Sequence, residues 1–232
     1  IVVDAGDDTA TQTNNIEDLI SRNISVLIVN PVDSDAVAPA VKDAVAKGIK
    51  VVSVDRVVNG VDVDCSIASD NVAGAKAATE YLISLVGEGA KVAELQGVSG
   101  ASATIDRGEG FHLAADESLE VVSSQTANFN RSEGMTVMEN MLQANADITG
   151  VFAHNDEMAL GAVEAIGDKD IKVVGFDATD DALAAVAEGR MAATVAQKPE
   201  LMGETAVDTA MKLIAGDTVE KSLPVEVELI TK

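Results

Sequence analysis

The chain has 232 residues, 47% apolar and 24% charged, with a formal net charge of −23, one cysteine and two histidines. That length suffices for one large or two modest domains with buried cores, while no stretch approaches the ~20 apolar residues that span a bilayer. The absence of a basic cluster excludes the usual phosphate-neutralising nucleic-acid binder, the lone Cys65 forms no intrachain disulfide, and the scarcity of thiol and imidazole leaves no zinc set, so no metal or cofactor is expected.

From the first residue, apolar β-rich runs predict strands at 1–3, 26–29, 50–54, 91–95, 121–124, 150–153, 172–175, 192–196 and 225–230. Between them lie segments of helical spacing. Over 35–46, Ala36, Val37, Ala40, Val41, Ala44 and Val45 recur at 3.6-residue intervals, with Asp33 or Ser34 as N-cap and Gly48 as C-cap. The same grammar predicts helices over 71–86, 131–142, 156–166 and 201–215. Strand–helix alternation of this kind implies parallel sheets covered on both faces, an α/β fold. Residues 1–70 supply about three strands and residues 71–197 about five, so two doubly wound (Rossmann-like) lobes are expected, the first lacking a βα unit at its N-terminus.

In open parallel sheets ligands bind beyond the carboxyl ends of the strands, and here those positions are polar. They carry Asp55 and Arg56, then Gln96 and Gly97 with Asp106 and Arg107 a turn later, then Phe129. His154, Asn155 and Asp156 come after the sixth predicted strand, Phe176 and Asp177 after the seventh, and Gln197 after the eighth. Asp accepts two hydroxyls, Arg donates in a fork, and Asn or Gln does both, which is what vicinal hydroxyls of a sugar require. Phe129 and Phe176, in a chain with 2% aromatics, would cover the sugar's C–H faces. Each residue also has a plainer role open to it: core packing for each Phe, helix capping for Asp156, Asp177 and Thr179. It is the convergence of six strand ends that favours a binding rim.

Competing motifs are weaker. Residues 97–102 succeed a strand and open a helix, but they match neither dinucleotide nor P-loop spacing, and a close turn is expected. Asp177, Asp180 and Asp181 lack the spacing of a calcium loop. His154 has no neighbouring nucleophile and is read as structural or rim. With no nucleophile–base pair, the chain is not expected to be an enzyme.

The segments 54–56, 67–71, 94–97, 107–111, 155–161 and 174–177 resemble those of bacterial periplasmic ribose-binding proteins, sugar receptors of ABC transporters, in order and spacing along essentially the whole chain. By that resemblance the ligand-binding positions are Asp55, Arg56, Arg107, Phe129, Asn155, Phe176, Asp177 and Gln197. The resemblance implies an N-terminal lobe of residues 1–69 and 198–226, a C-terminal lobe of 70–197 and 227–232, and a hinge of three crossings. It further implies a periplasmic monomer that closes on a monosaccharide, D-ribose foremost, and is read by an ABC permease and by a chemoreceptor. The initial strand and helix of that family, which add an asparagine and phenylalanines over the sugar, have no counterpart here. The alternative on the same architecture is the effector core of a sugar-responsive, LacI-type repressor, against which the net charge of −23 argues.

Overall fold

In the computed structural model, which describes all 232 residues, strands and helices alternate as the periodicity predicts. The chain divides into two units: Ile1–Ser69 with Gly100–Ser102 and Lys198–Val225, and Asp70–Ser99 with Ala103–Gln197 and Glu226–Lys232. The excursion Gly100–Ser102, placed by sequence in the second lobe, groups with the first unit because it is tied there. The Ser34 N–H donates to the Gly100 carbonyl at 2.9 Å, and the Val57 N–H donates to the Ser102 hydroxyl at 3.1 Å.

The first unit holds α1 (Thr9–Ser21), β1 (Val26–Val29), α2 (Ala38–Ala46), β2 (Lys50–Val54) and β3 (Cys65–Ser69), and later α8 (Pro199–Ala215) and β9 (Ser222–Val225). Its sheet runs β1-β2-β3-β9, all parallel. Successive residues of β2 serve opposite cores. Val51 packs with Leu27, Val41 and Ala44 under α1 and α2, while Val52 packs with Ile67, Met202 and Leu213 under α8.

Three expectations are corrected here. Ile1–Val3 is not a strand: nothing pairs with it, and Ile1 and Val2 stand 78% and 98% exposed. Cys65–Ser69 is a strand that apolar runs do not reveal, because two of its five residues are serines and only Ile67 is a large apolar side chain, although every second residue is buried. The helix foreseen from Asp35 begins at Ala38, since Asp33 Oδ1 accepts from the N–H groups of Asp35 and Ala36 and so caps a turn ahead of the helix.

The second unit contains α3 (Asn71–Val86), β4 (Lys91–Gln96), all of α4 (Ser102–Ala115) but its first residue, β5 (Glu120–Thr126), α5 (Arg131–Ala144), β6 (Gly150–Ala153), α6 (Asp156–Ile166), β7 (Lys172–Asp177), α7 (Asp180–Glu188), β8 (Ala193–Ala196) and β10 (Glu228–Thr231). The strand order is β10-β8-β7-β6-β4-β5, parallel except for β10. The single run expected over 225–230 is therefore two strands in two sheets, broken where the chain passes between units. Side chains alternate here too. Ala93, Val151 and Val173 face α5, α6 and α7, while Val92, Phe152 and Val174 face α3 and α4. Caps fix where the helices start, and hence which residues lie just beyond each strand. Asp70, Asn130, Asn155 and Thr179 accept from the N–H groups of Ala73, Glu133, Met158 and Ala182.

Candidate ligand-binding site

In the first unit the polar residues gather at the carboxyl ends of β1 and β2. Asp55 directly succeeds β2 and holds a left-handed φ of 67°. Its Oδ2 accepts from Asn30 Nδ2 at 3.2 Å, so the residue closing β1 orients the carboxylate beyond β2. Arg56 turns back along the same edge, where its Nη1 donates to the carbonyls of Pro31 and Val32 at 3.1 and 2.9 Å and its Nε lies 3.9 Å from Asp55 Oδ2. Gln12 fixes the loop beneath by donating to the Asn30 carbonyl and accepting from the Val32 N–H. The pair is thus a carboxylate and a guanidinium held by neighbouring strand ends.

In the second unit the centre is Arg107, on α4 and only 4% exposed. A buried guanidinium needs its donors satisfied, and its surroundings do so. Nε donates to Asn71 Oδ1 at 2.9 Å, Nη1 to the His154 carbonyl at 2.6 Å, and Nη1 lies 3.5 Å from Asp177 Oδ1. The guanidinium carbon sits 3.8 Å above the Phe176 ring, a cation–π stack. Gln197, just past β8, donates from Nε2 to Asp177 Oδ1 at 2.6 Å. Arg107, Phe176, Asp177 and Gln197 therefore form one connected group across α4, β7 and β8.

Asn155 and Phe129 form a second contact pair in this unit. Asn155 Oδ1 caps α6 by accepting from the Met158 N–H at 3.0 Å, and its Nδ2 donates to the Phe129 carbonyl at 3.4 Å. Phe129 is partly buried, with φ 58°, and its ring lies so close to Gly97 that a Cβ there would overlap it. That contact explains the glycine after β4: the turn makes room for a ring. Phe176, by contrast, is fully buried, so its open face is given to Arg107 rather than to solvent.

Of seven non-glycine residues with positive φ, three are Asp55, Phe129 and Asp177, and Asn128 and Ala178 adjoin two of them. Strain of this kind persists only where the surroundings over-determine it, and it gathers at functional positions. Beneath the site lies a buried acid–imidazole pair. Glu94 and His154 are both inaccessible, with Nε2 and Oε1 2.8 Å apart. Burial opposes the Glu94 charge, yet hydrogen bonds from His154 and Ser124 hold its carboxyl below the usual range, while burial pushes the His154 imidazole down. Neutral His154 then donates from Nε2 to ionised Glu94, and its backbone carbonyl receives Arg107. His154 is an interior support and not a rim residue. Thr179 caps α7, the plainer role open to it, and Asp181 pairs with Arg131 at 2.9 Å.

Sequence reasoning misses Asn71 and Asn30, which orient Arg107 and Asp55. Each sits next to a strand end or at a helix start, but their use depends on a partner 36 or 25 residues away.

A family model described as a periplasmic binding protein domain matches residues 1–218. The ribose import binding protein RbsB of Bacillus subtilis (strain 168) is 49% identical over 234 residues, spanning 100% of this chain and 77% of that protein. RbsB of Escherichia coli (strain K12) is 46% identical, spanning 100% and 80%. Among solved structures, an ABC transporter solute binding protein from Bacillus halodurans C-125 with bound myo-inositol aligns with a TM-score of 0.94 at 36% identity, covering 100% of this chain and 83% of that one. A periplasmic solute binding protein from Actinobacillus succinogenes 130z with bound D-allose gives 0.90 at 28% identity, covering 100% and 85%.

Proposed function

The chain belongs to the periplasmic binding protein family, and on that footing we propose that it captures a monosaccharide, D-ribose, outside the cytoplasm and delivers it unaltered to an ABC permease. The observation that carries this reading is the connected Arg107–Asp177–Gln197 group over Phe176, beside Asn155 and Phe129. It offers a fork of donors, a carboxylate acceptor and a carboxamide at one set of strand ends, the chemistry that adjacent hydroxyls engage. Asp55 and Arg56 supply the same chemistry from the first unit. Ribose is preferred over other sugars because two relatives at 49% and 46% identity are named for ribose import, whereas the proteins carrying myo-inositol and D-allose are 36% and 28% identical. The repressor-core reading gains no support from these matches.

Capture rests on differential affinity. A sugar held by the strand ends of one unit recruits those of the other, and closure advances only as far as the ligand favours the closed form. Titration calorimetry with ribose, arabinose, allose, glucose and myo-inositol tests the assignment. One-to-one binding is expected, tightest for ribose, with the sugar recovered unchanged. Tighter binding of myo-inositol or a hexose would overturn the ribose assignment, and heat from none of the five would overturn the sugar reading.

A further inference from the structure

Behind the side chains at the strand ends, the second unit holds a carboxylate that the contacts proposed above do not use. Asp156, the first residue of α6, is fully buried. Its Oδ1 accepts from the Thr194 hydroxyl at 2.6 Å, and its Oδ2 accepts from the Thr179 N–H at 2.8 Å and the Thr179 hydroxyl at 3.3 Å. The Thr194 hydroxyl oxygen in turn accepts from the Ala178 N–H at 3.1 Å. Both amides after Asp177 are therefore secured by one carboxyl, the second directly and the first through a single hydroxyl.

The segment so secured is the strained one. Asp177 and Ala178 have φ of 122° and 55°, a pairing of left-handed backbone that two L-residues adopt only under constraint. Relaxing either would swing the Asp177 carboxylate away from Arg107 and Gln197. The sequence leaves room for the latch: at Gly175 of β7 a Cβ would overlap Asp156 Oδ1 and press within 2.9 Å of Met191 Cε. A group buried at this cost without touching the strand-end side chains needs a reason to be polar.

We propose that Asp156 is a positioning residue: by holding Thr179 and Thr194, its carboxyl fixes the left-handed turn that presents Asp177 to the ligand. This rests on the reading of Asp177 as a sugar contact, and the experiment separates the two. Ribose is titrated calorimetrically into the parent chain, Asp156→Asn, Asp156→Ala and Thr194→Val, and amide hydrogen exchange is monitored without sugar at Ala178 and Thr179. A carboxamide can still accept from the Thr179 N–H and donate to the Thr194 hydroxyl, so Asp156→Asn keeps its affinity within about threefold. Asp156→Ala and the near-isosteric Thr194→Val lose roughly tenfold or more, with exchange at Ala178 accelerated by a similar factor while amides of β4 and β6 keep their protection. Unchanged exchange at both amides in Asp156→Ala overturns the latch whatever the sugar does. Unchanged affinity in a folded Asp156→Ala, or acceleration spread evenly through the unit, overturns the positioning role. If the parent binds none of the sugars, the functional reading falls instead, and the exchange measurement still decides the latch.

Discussion

Asp177 accepts from Gln197 at 2.6 Å and lies 3.5 Å from Arg107, so its carboxylate is oriented before any ligand arrives. Removing it deletes the one anionic acceptor in the connected group. Asp177→Ala is therefore expected to weaken ribose binding by about 1.5–3 kcal/mol, the range for a hydrogen bond to a charged group, or roughly 10- to 150-fold in Kd by calorimetry. An unchanged Kd would remove Asp177 from the site. Asp156 predicts a pH effect. Burial and the neighbouring Asp177 charge push its carboxyl up from 3.8 to about 7, against hydrogen bonds from Thr194 and Thr179 that pull it down. Between about pH 4 and 7 the folded chain thus holds a proton that the unfolded chain lacks, so this group's contribution to stability falls as pH rises through that window. The full difference is on the order of 4 kcal/mol, an upper bound since α6's own N-terminus favours the charge. Asp156→Asn abolishes the slope: in urea unfolding it should gain on the parent at pH 8 and match it near pH 4, and parallel curves across that range would refute the shift. The sequence makes the strand-end residues legible because their type and place in the βα grammar suffice. Asn71, Asn30 and the Asp156 latch are not legible, since each acts through a partner that only tertiary register brings near.

At the scale of elements, the closest helix packing in the second unit runs through glycines. A Cβ on Gly161 of α6 would overlap the Arg131 carbonyl and come within 2.7 Å of the Met135 N of α5, and one on Gly134 would meet the Met158 backbone at 2.8 Å. Backbone cannot yield as a flexible side chain can, so Gly161→Ala should destabilise by about 1–3 kcal/mol, the usual cost of overpacking, despite alanine's better helix propensity. Thermal unfolding of the variant checks this. A rise in Tm would mean the helices can part freely, and ribose stoichiometry should stay the same either way. Arg131 straddles this junction, with Nε and Nη2 on Glu157 at 2.9 and 2.8 Å and Nη2 on Asp181 at 2.9 Å. Element boundaries are readable where one signal dominates. The helices over 71–86 and 156–166 begin on real caps, and five-residue runs such as Lys50–Val54 are buried strands. Legibility fails where pairing, not composition, decides. Ile1–Val3 has strand chemistry but no ladder, and Cys65–Ser69 has a ladder on both sides with only moderate hydrophobicity.

For the whole molecule, the proposed mechanism depends on residues of both units meeting one ligand. Asp55 and Arg56 belong to the first unit and the other six candidates to the second, and the backbone passes between units at Ser69–Asp70, Gln197–Lys198 and Val225–Glu226, besides the Gly100–Ser102 excursion. If the second unit's connected group provides the first contact and Asp55 the later one, the two carboxylates should fail differently. Loss of Asp177 weakens docking itself, so less sugar binds and any contraction tracks occupancy. Loss of Asp55 leaves the docking group intact but removes part of the differential affinity that favours the closed form, and a ligand with less differential affinity shifts the population less. Small-angle scattering at saturating ribose should therefore show a decrease in radius of gyration for the parent, the same decrease for Asp177→Ala once its weaker Kd is saturated, and a smaller one for Asp55→Ala. Equal contraction in all three would mean that Asp55 does not bias closure. No contraction in the parent would leave a sugar-binding surface on one unit and remove the shape change by which a permease could tell loaded from empty protein.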